Sequence, residues 1–179
     1  MWMRREVILA TPVHQPLLRQ MFELYAHEFS AWNEEDVDME GRFTPDDFLA
    51  DGWRRRGGVG RYLLRIDGRW AGFAFVERGS YVAPGRASNW LMDEFFVLLR
   101  YRGRGLGEWF ARELFGRMPG VWEMGQIVAN TGATAFWRAV LRRTAMGGTF
   151  EERRVDNEVW QGPVQVARIV GESQRRGSE

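Results

Sequence analysis

The residues of this chain best suited to chemistry stand close together. Asp93 and Glu94 interrupt an apolar run over 91–99, and that run opens into an alternation of arginine and glycine, R-G-R-G-L-G, from Arg102 to Gly107. Two acids inside an apolar strand are costly unless they reach a cleft or a partner. Side chains alternate along a strand, so the two are expected on opposite faces, with at most one aimed at a given ligand. Downstream, the glycines let the backbone adopt positive φ and approach a ligand closely. Helical spacing follows them. The first N–H groups of a helix lack intrahelical acceptors and carry the positive end of its dipole, so the arrangement suits a phosphate. Arg100, Arg102 and Arg104 are expected to add mobile positive charge there. A dinucleotide fingerprint, G-x-G-x-x-G, fails by one position because residue 108 is Glu, and a nucleotide-binding P-loop needs a lysine that the chain lacks. What fits is R-x-x-G-x-G, with Arg102, Gly105 and Gly107.

Composition narrows the functional classes. The chain has 179 residues, 45% of them hydrophobic and 14% aromatic, so it can bury a substantial core. One domain over 1–171 is expected, with a polar tail over 172–179. A net charge of +1 argues against a nucleic-acid partner. There is no cysteine, which excludes a disulfide framework and a thiol nucleophile, and two histidines make a metal site unexpected. Neither a signal peptide nor a membrane-length apolar run is visible, so a cytoplasmic protein is the expectation.

The positioning elements follow in order. A short strand over 5–10 stops at Pro12. Apolar spacing at Leu17, Leu18, Met21, Phe22, Tyr25 and Phe29 predicts a helix over 16–29. From Glu28 to Asp51 there are nine acids against one arginine, Arg42. Thr44-Pro45-Asp46-Asp47 reads as a helix start, so a second helix is expected over 45–54. The remaining acids form either a solvated loop or a negative rim that attracts a cationic amine. Strands over 61–66 and 70–77 flank a hairpin turn at Asp67-Gly68. The run over 91–99 is the central strand, and a helix over 105–118 leaves the glycine loop. A strand over 121–128 precedes a helix opening at Asn130, with apolar positions 133, 136, 137, 140 and 141. Late strands over 150–155 and 163–170 complete the order.

R-x-x-G-x-G after an apolar strand resembles the pyrophosphate loop of the GNAT superfamily of acyl-CoA-dependent N-acetyltransferases. Asn130-x-x-Ala133-x-x-Phe136-Trp137 is similar to that superfamily's second segment, N-x-x-A-x-x-F/L-Y. The longer string also resembles a bacterial branch of predicted acetyltransferases. The resemblance implies an α/β (α+β) acyl-CoA N-acyltransferase fold, a mixed sheet of about seven strands flanked by about four helices. It implies acetyl-CoA as cosubstrate, no metal, and an amine acceptor, cationic if the acidic run faces it. The implied coenzyme contacts are Phe95, Phe96, Val97, Arg102, Gly103, Arg104, Gly105, Leu106, Gly107, Asn130, Ala133, Phe136 and Trp137.

An alkyl amine with pKa about 10.4 is protonated at neutral pH and must lose a proton before it attacks a thioester. By the resemblance Glu94 is the candidate base, with Asp93 as rival, and a backbone N–H among residues 96–98 is the oxyanion donor. Many relatives carry a tyrosine at position 137 that protonates the departing thiolate, and indole cannot do this. Tyr81 or a water is the implied substitute. Tyr101, beside the phosphate loop, is badly placed for the role. A second reading is an acyl-CoA sensor on the same fold, with Trp137 marking lost catalysis. Exposed aromatics in the late strands would allow a homodimer.

Overall fold

The computed structural model describes residues 3–43 and 60–171. The helix expected over 45–54 and the polar tail lie outside the described residues. Three α-helices are described: α1 (Gln15–Asn33), α2 (Leu106–Arg117) and α3 (Thr131–Thr144). Seven strands form one sheet: β1 (Arg5–Leu9), β2 (Gly60–Ile66), β3 (Arg69–Gly79), β4 (Asn89–Val97), β5 (Gly120–Gly125), β6 (Glu151–Asp156) and β7 (Gln161–Ile169). Their spatial order is β1-β2-β3-β4-β5-β7-β6. Only β4 and β5 run parallel, so the sheet is mixed, as expected.

Local chemistry accounts for most boundaries. Asp67 and Gly68 both take positive φ, 48° and 77°, which closes β2 onto β3 in a tight two-residue hairpin. Pro16 sits in the first turn of α1, where its missing N–H costs nothing. That helix runs four residues past the expected 29 and stops where Glu34 turns left-handed, with φ 58°. The extension carries Trp32. Asn130 caps α3 by accepting from the Ala133 N–H at 3.0 Å. β5 ends three residues short of the expected 128: the Gln126 N–H still donates to the Pro163 carbonyl at 3.0 Å, and the chain then turns at Val128 and Ala129.

The sheet buries both faces. On one, α1 packs Leu18, Met21 and Phe22 against Leu63, Phe73, Phe75 and Phe96. On the other, α2 and α3 pack Phe110, Leu114, Trp137 and Leu141 against Ala74, Val76, Met92, Val97 and Trp122.

Candidate active site

The strand β4 breaks its own alternation. Phe75 pairs with Glu94 and Val76 with Met92, so Asp93 is an extra residue bulged out of the register. Core membership shows the consequence. Met92 and Phe95 pack on the α2/α3 face, whereas Phe96 packs on the α1 face. Both acids between them therefore point to the α1 face. The expectation that Asp93 and Glu94 face opposite sides is corrected: the bulge puts the two carboxylates together.

Their surroundings are acidic and phenolic. Burial, then the charge of Asp93, pushes the Glu94 carboxyl up to about 8; Glu77 adds to the rise, and a hydrogen bond from Tyr25 opposes it. Burial and the Glu94 charge likewise raise the Tyr25 phenol. Tyr81 donates its hydroxyl to Asp93 Oδ1 at 3.1 Å, and burial, then Asp93, raises its pKa. A second buried acid, Glu123, holds the loop that presents Tyr81. It accepts from Ser80 Oγ at 2.6 Å, the Tyr81 N–H at 2.8 Å, the Val82 N–H at 3.2 Å and Asn89 Nδ2 at 2.7 Å. Four donors satisfy a carboxylate that is 1% exposed.

Beside the two acids the sheet opens. β4 and β5 pair only at Trp90↔Trp122 and Leu91↔Glu123, and beyond these they diverge. The N–H of Leu98 donates to Ala71 on the β3 side. By alternation Phe96 also faces β3, and the N–H groups of Phe95 and Val97 face the gap. A strand edge left open inside a sheet can pair with an extended ligand.

The gap widens toward the glycine loop. Gly103 and Gly105 take φ of 70° and 72°, and Gly105 is the N-cap of α2. A Cβ on Gly107 would come within 3.3 Å of the Phe136 ring, so glycine lets α2 approach α3 closely. Arg102 is not mobile, contrary to the expectation. Its Nη2 lies 2.8 Å from Glu28 Oε2, and its Nε donates to the Val97 carbonyl at 2.6 Å. It pins the loop to α1 and to the end of β4.

These elements enclose a cleft of about 590 Å³. Phe95, Phe96 and Val97 form its strand wall; Arg102, Gly103, Gly105 and Gly107 its loop wall; Asn130, Ala133, Phe136 and Trp137 its helical wall. The Leu106 side chain is buried in the core, so only its backbone N–H is available to a ligand. Arg104 is exposed and is not part of the described wall. Asn130 spends Oδ1 on its cap, which leaves Nδ2 as the donor it offers a ligand. Trp137 is 5% exposed, with its ring 5.0 Å from Phe95. Glu94 and Tyr81 do not line the cleft; Glu94 connects to it through Tyr25, which does. Tyr81 lies against Trp160, ring centres 4.8 Å apart, with its proton given to Asp93.

The sequence reading missed Tyr25 as a site residue, along with Glu28, Glu123 and the bulge. The helical stripe that includes Tyr25 was visible, but a core tyrosine and a cleft tyrosine have the same spacing. No helix among the described residues is long and apolar enough to cross a membrane, and these residues contain no group of three potential metal ligands.

The fold matches solved acetyltransferases over most of its length. An acetyltransferase from Thermus thermophilus superposes with a TM-score of 0.66 at 18% identity, covering 92% of this chain and 97% of that one. The ribosomal-protein-alanine N-acetyltransferase of Brucella melitensis gives 0.59 at 20% identity, over 92% and 99%. YncA of Salmonella typhimurium, solved with its cofactor acetyl-CoA, gives 0.59 at 12%, over 93% of each. No curated protein sequence matches the chain. The profile of the acetyltransferase (GNAT) family matches residues 18–141, spanning the glycine loop and the capped helix. With that match and this geometry, the chain belongs to the GNAT acetyltransferase family.

Proposed function

We propose that the chain, acting as one domain over 1–171, moves an acetyl group from acetyl-CoA to a primary amine by direct attack. The observation that carries this reading is the gap between β4 and β5, open at the glycine loop and lined by the amides of Phe95 and Val97. The amides around Gly103–Gly107 hold the diphosphate. The pantetheine arm pairs with the open edge of β4, helped by Asn130 Nδ2. The Val97 N–H, one of the expected donors, faces the developing oxyanion.

Glu94 accepts the amine's proton, directly or through one water, and Asp93 on the same face holds the proton near the solvent. The acetyl-transfer chemistry then requires a leaving thiolate. A thiol with pKa near 8.5 leaves without an acid. Trp137 cannot supply a proton, and the Tyr81 hydroxyl is engaged by Asp93.

Calorimetry with coenzyme A, followed by a thiol-release assay with acetyl-CoA and a panel of amines, tests the proposal. Saturable binding and amine-dependent release are expected. Binding without release for any amine would replace it with the sensor reading, which the buried indole at position 137 favours. No binding would remove both.

A further inference from the structure

β4 hands over to the glycine loop at Val97, and two charged side chains meet there. A short helical turn over Leu99–Tyr101 folds the chain back on itself, with the Tyr101 N–H on the Leu98 carbonyl at 2.8 Å and the Arg102 N–H on the Leu99 carbonyl at 3.1 Å. Arg102 thereby returns its guanidinium to the strand it has just left. Its Nε donates to the Val97 carbonyl at 2.6 Å, a charge-assisted bond. Its Nη2 lies 3.0 and 2.8 Å from the two carboxylate oxygens of Glu28 on α1. The guanidinium carbon sits 5.3 Å from the centre of the Phe96 ring. One planar group therefore joins strand, ring and helix, and its fork is aimed by those partners rather than by a phosphate.

The bonded carbonyl lies on the edge that faces the gap. In a strand the N–H and C=O of one residue point to the same side. The Leu98 N–H donates to the Ala71 carbonyl at 2.9 Å, so Leu98 faces β3 and Val97 turns both its groups to the gap. The peptide joining Val97 to Leu98 is gripped at both ends, by Arg102 on its oxygen and by Ala71 on its N–H. A carbonyl oxygen directed at a developing oxyanion would repel it. Here a cation covers that oxygen, and the Val97 N–H stands beside it as a donor.

Resting on the acetyl-transfer reading, we propose that Arg102 and Glu28 are positioning residues for the oxyanion site: Glu28 aims the Arg102 guanidinium at the Val97 carbonyl, and Arg102 fixes the strand end so that it offers the acyl oxygen a donor only. The amides of the glycine loop, not the Arg102 side chain, then carry the diphosphate. The pair acts on the rate of transfer and not on the grip on coenzyme A.

Glu28→Ala, Glu28→Gln and Arg102→Lys are compared with the parent by calorimetry with coenzyme A and by kcat at saturating acetyl-CoA and amine. The two side chains are 28% and 40% exposed, and pairs so exposed add little to stability, so the variants are expected to fold. In Glu28→Ala and Arg102→Lys kcat should fall about tenfold or more, because a small misplacement suffices, while Kd changes by less than about threefold. Lysine keeps the charge but not the fork. Glu28→Gln, which keeps an acceptor, should recover much of the lost kcat. The double variant Glu28→Ala, Arg102→Lys should lose no more than either single change, since the two act through one contact. A Kd weakened about tenfold or more with kcat unmoved would make Arg102 a diphosphate ligand and overturn the proposal, as would additive losses in kcat. Should no amine support thiol release, acetyl transfer fails, and the hold on the strand end is decided by nitrogen-resolved hydrogen exchange. A Leu98 N–H that exchanges faster in Glu28→Ala supports it; an unchanged one overturns it.

Discussion

Asp93 and Glu94 gain their chemistry from being on one face. Two carboxylates that share a site resist ionising together, so one holds its proton to higher pH. Glu94 is raised to about 8 by burial, by Asp93 and, more weakly, by Glu77, while the Tyr25 hydrogen bond pulls the other way; Tyr81 binds Asp93. These opposing influences make a signed test. The pH profile of kcat/KM should bend near the Glu94 pKa. Asp93→Asn removes a negative neighbour and moves that bend to lower pH, whereas Tyr25→Phe removes a donor and moves it higher. In Glu94→Gln the bend should vanish, leaving only the slope from the amine's own ionisation. Movement of both variants in one direction would refute this account of the pair.

The same residue affects folding. Its native pKa of about 8 lies above the unfolded value of 4.5, so the folded state favours the protonated acid. The unfolded chain releases that proton first, and stability is lost as pH rises through this window. Glu94→Gln should therefore melt above the parent at pH 8.5, by about 3 °C or more, with the difference closing by pH 4.5. Thermal melts at the two pH values check it.

Among the elements, the loop between β4 and α2 is the most legible from sequence and also the best anchored. Its glycines need left-handed backbone, and their spacing announced it. The hairpin at Asp67-Gly68 and the cap at Asn130 were legible for the same reason: each rests on a local signal within a few residues. What could not be read rests on distant contacts. The bulge at Asp93 is a property of the register with β3, not of β4 alone. Arg102 meets a partner 74 residues away in Glu28, and Glu123 gathers a loop 42 residues upstream. Charge at Arg102 was visible, but its immobilisation was not. A substitution separates backbone from side chain in this loop. A Cβ at Gly105 meets no protein atom within 4 Å, so Gly105→Val costs the free protein mainly backbone strain, about 1–2 kcal/mol. A ligand lying on the same amides would clash with it. Coenzyme A affinity should fall more than tenfold, about 1.4 kcal/mol or more, while the melting temperature drops only a few degrees. Calorimetry and a thermal melt on the same sample report both.

At the scale of the whole molecule, the sheet is two half-sheets. β1 to β4 form one antiparallel block and β5, β7 and β6 another, joined by two residue pairs and the hydrogen bonds of Glu123. The outer strand β6 exposes Glu151, Glu152, Arg153 and Arg154, charges that discourage pairing with another chain. Among the described residues, the edge left without a neighbouring strand lies instead in the middle of the sheet, on the half of β4 past Leu91. Alternation gives it a strict pattern, with Phe95 and Val97 facing the gap and Phe96 and Leu98 bonded toward β3. If an extended pantetheine arm completes this edge, amide exchange should slow on alternate residues. On adding coenzyme A the N–H groups of Phe95 and Val97 should gain protection, and those of Phe96 and Leu98, already bonded, should change little. Nitrogen-resolved hydrogen exchange on the full chain makes the comparison. Uniform slowing over 95–98 would indicate general tightening of the fold, and slowing confined to Phe96 and Leu98 would place the ligand elsewhere. Only the alternating pattern is what a bridging strand between the two half-sheets produces.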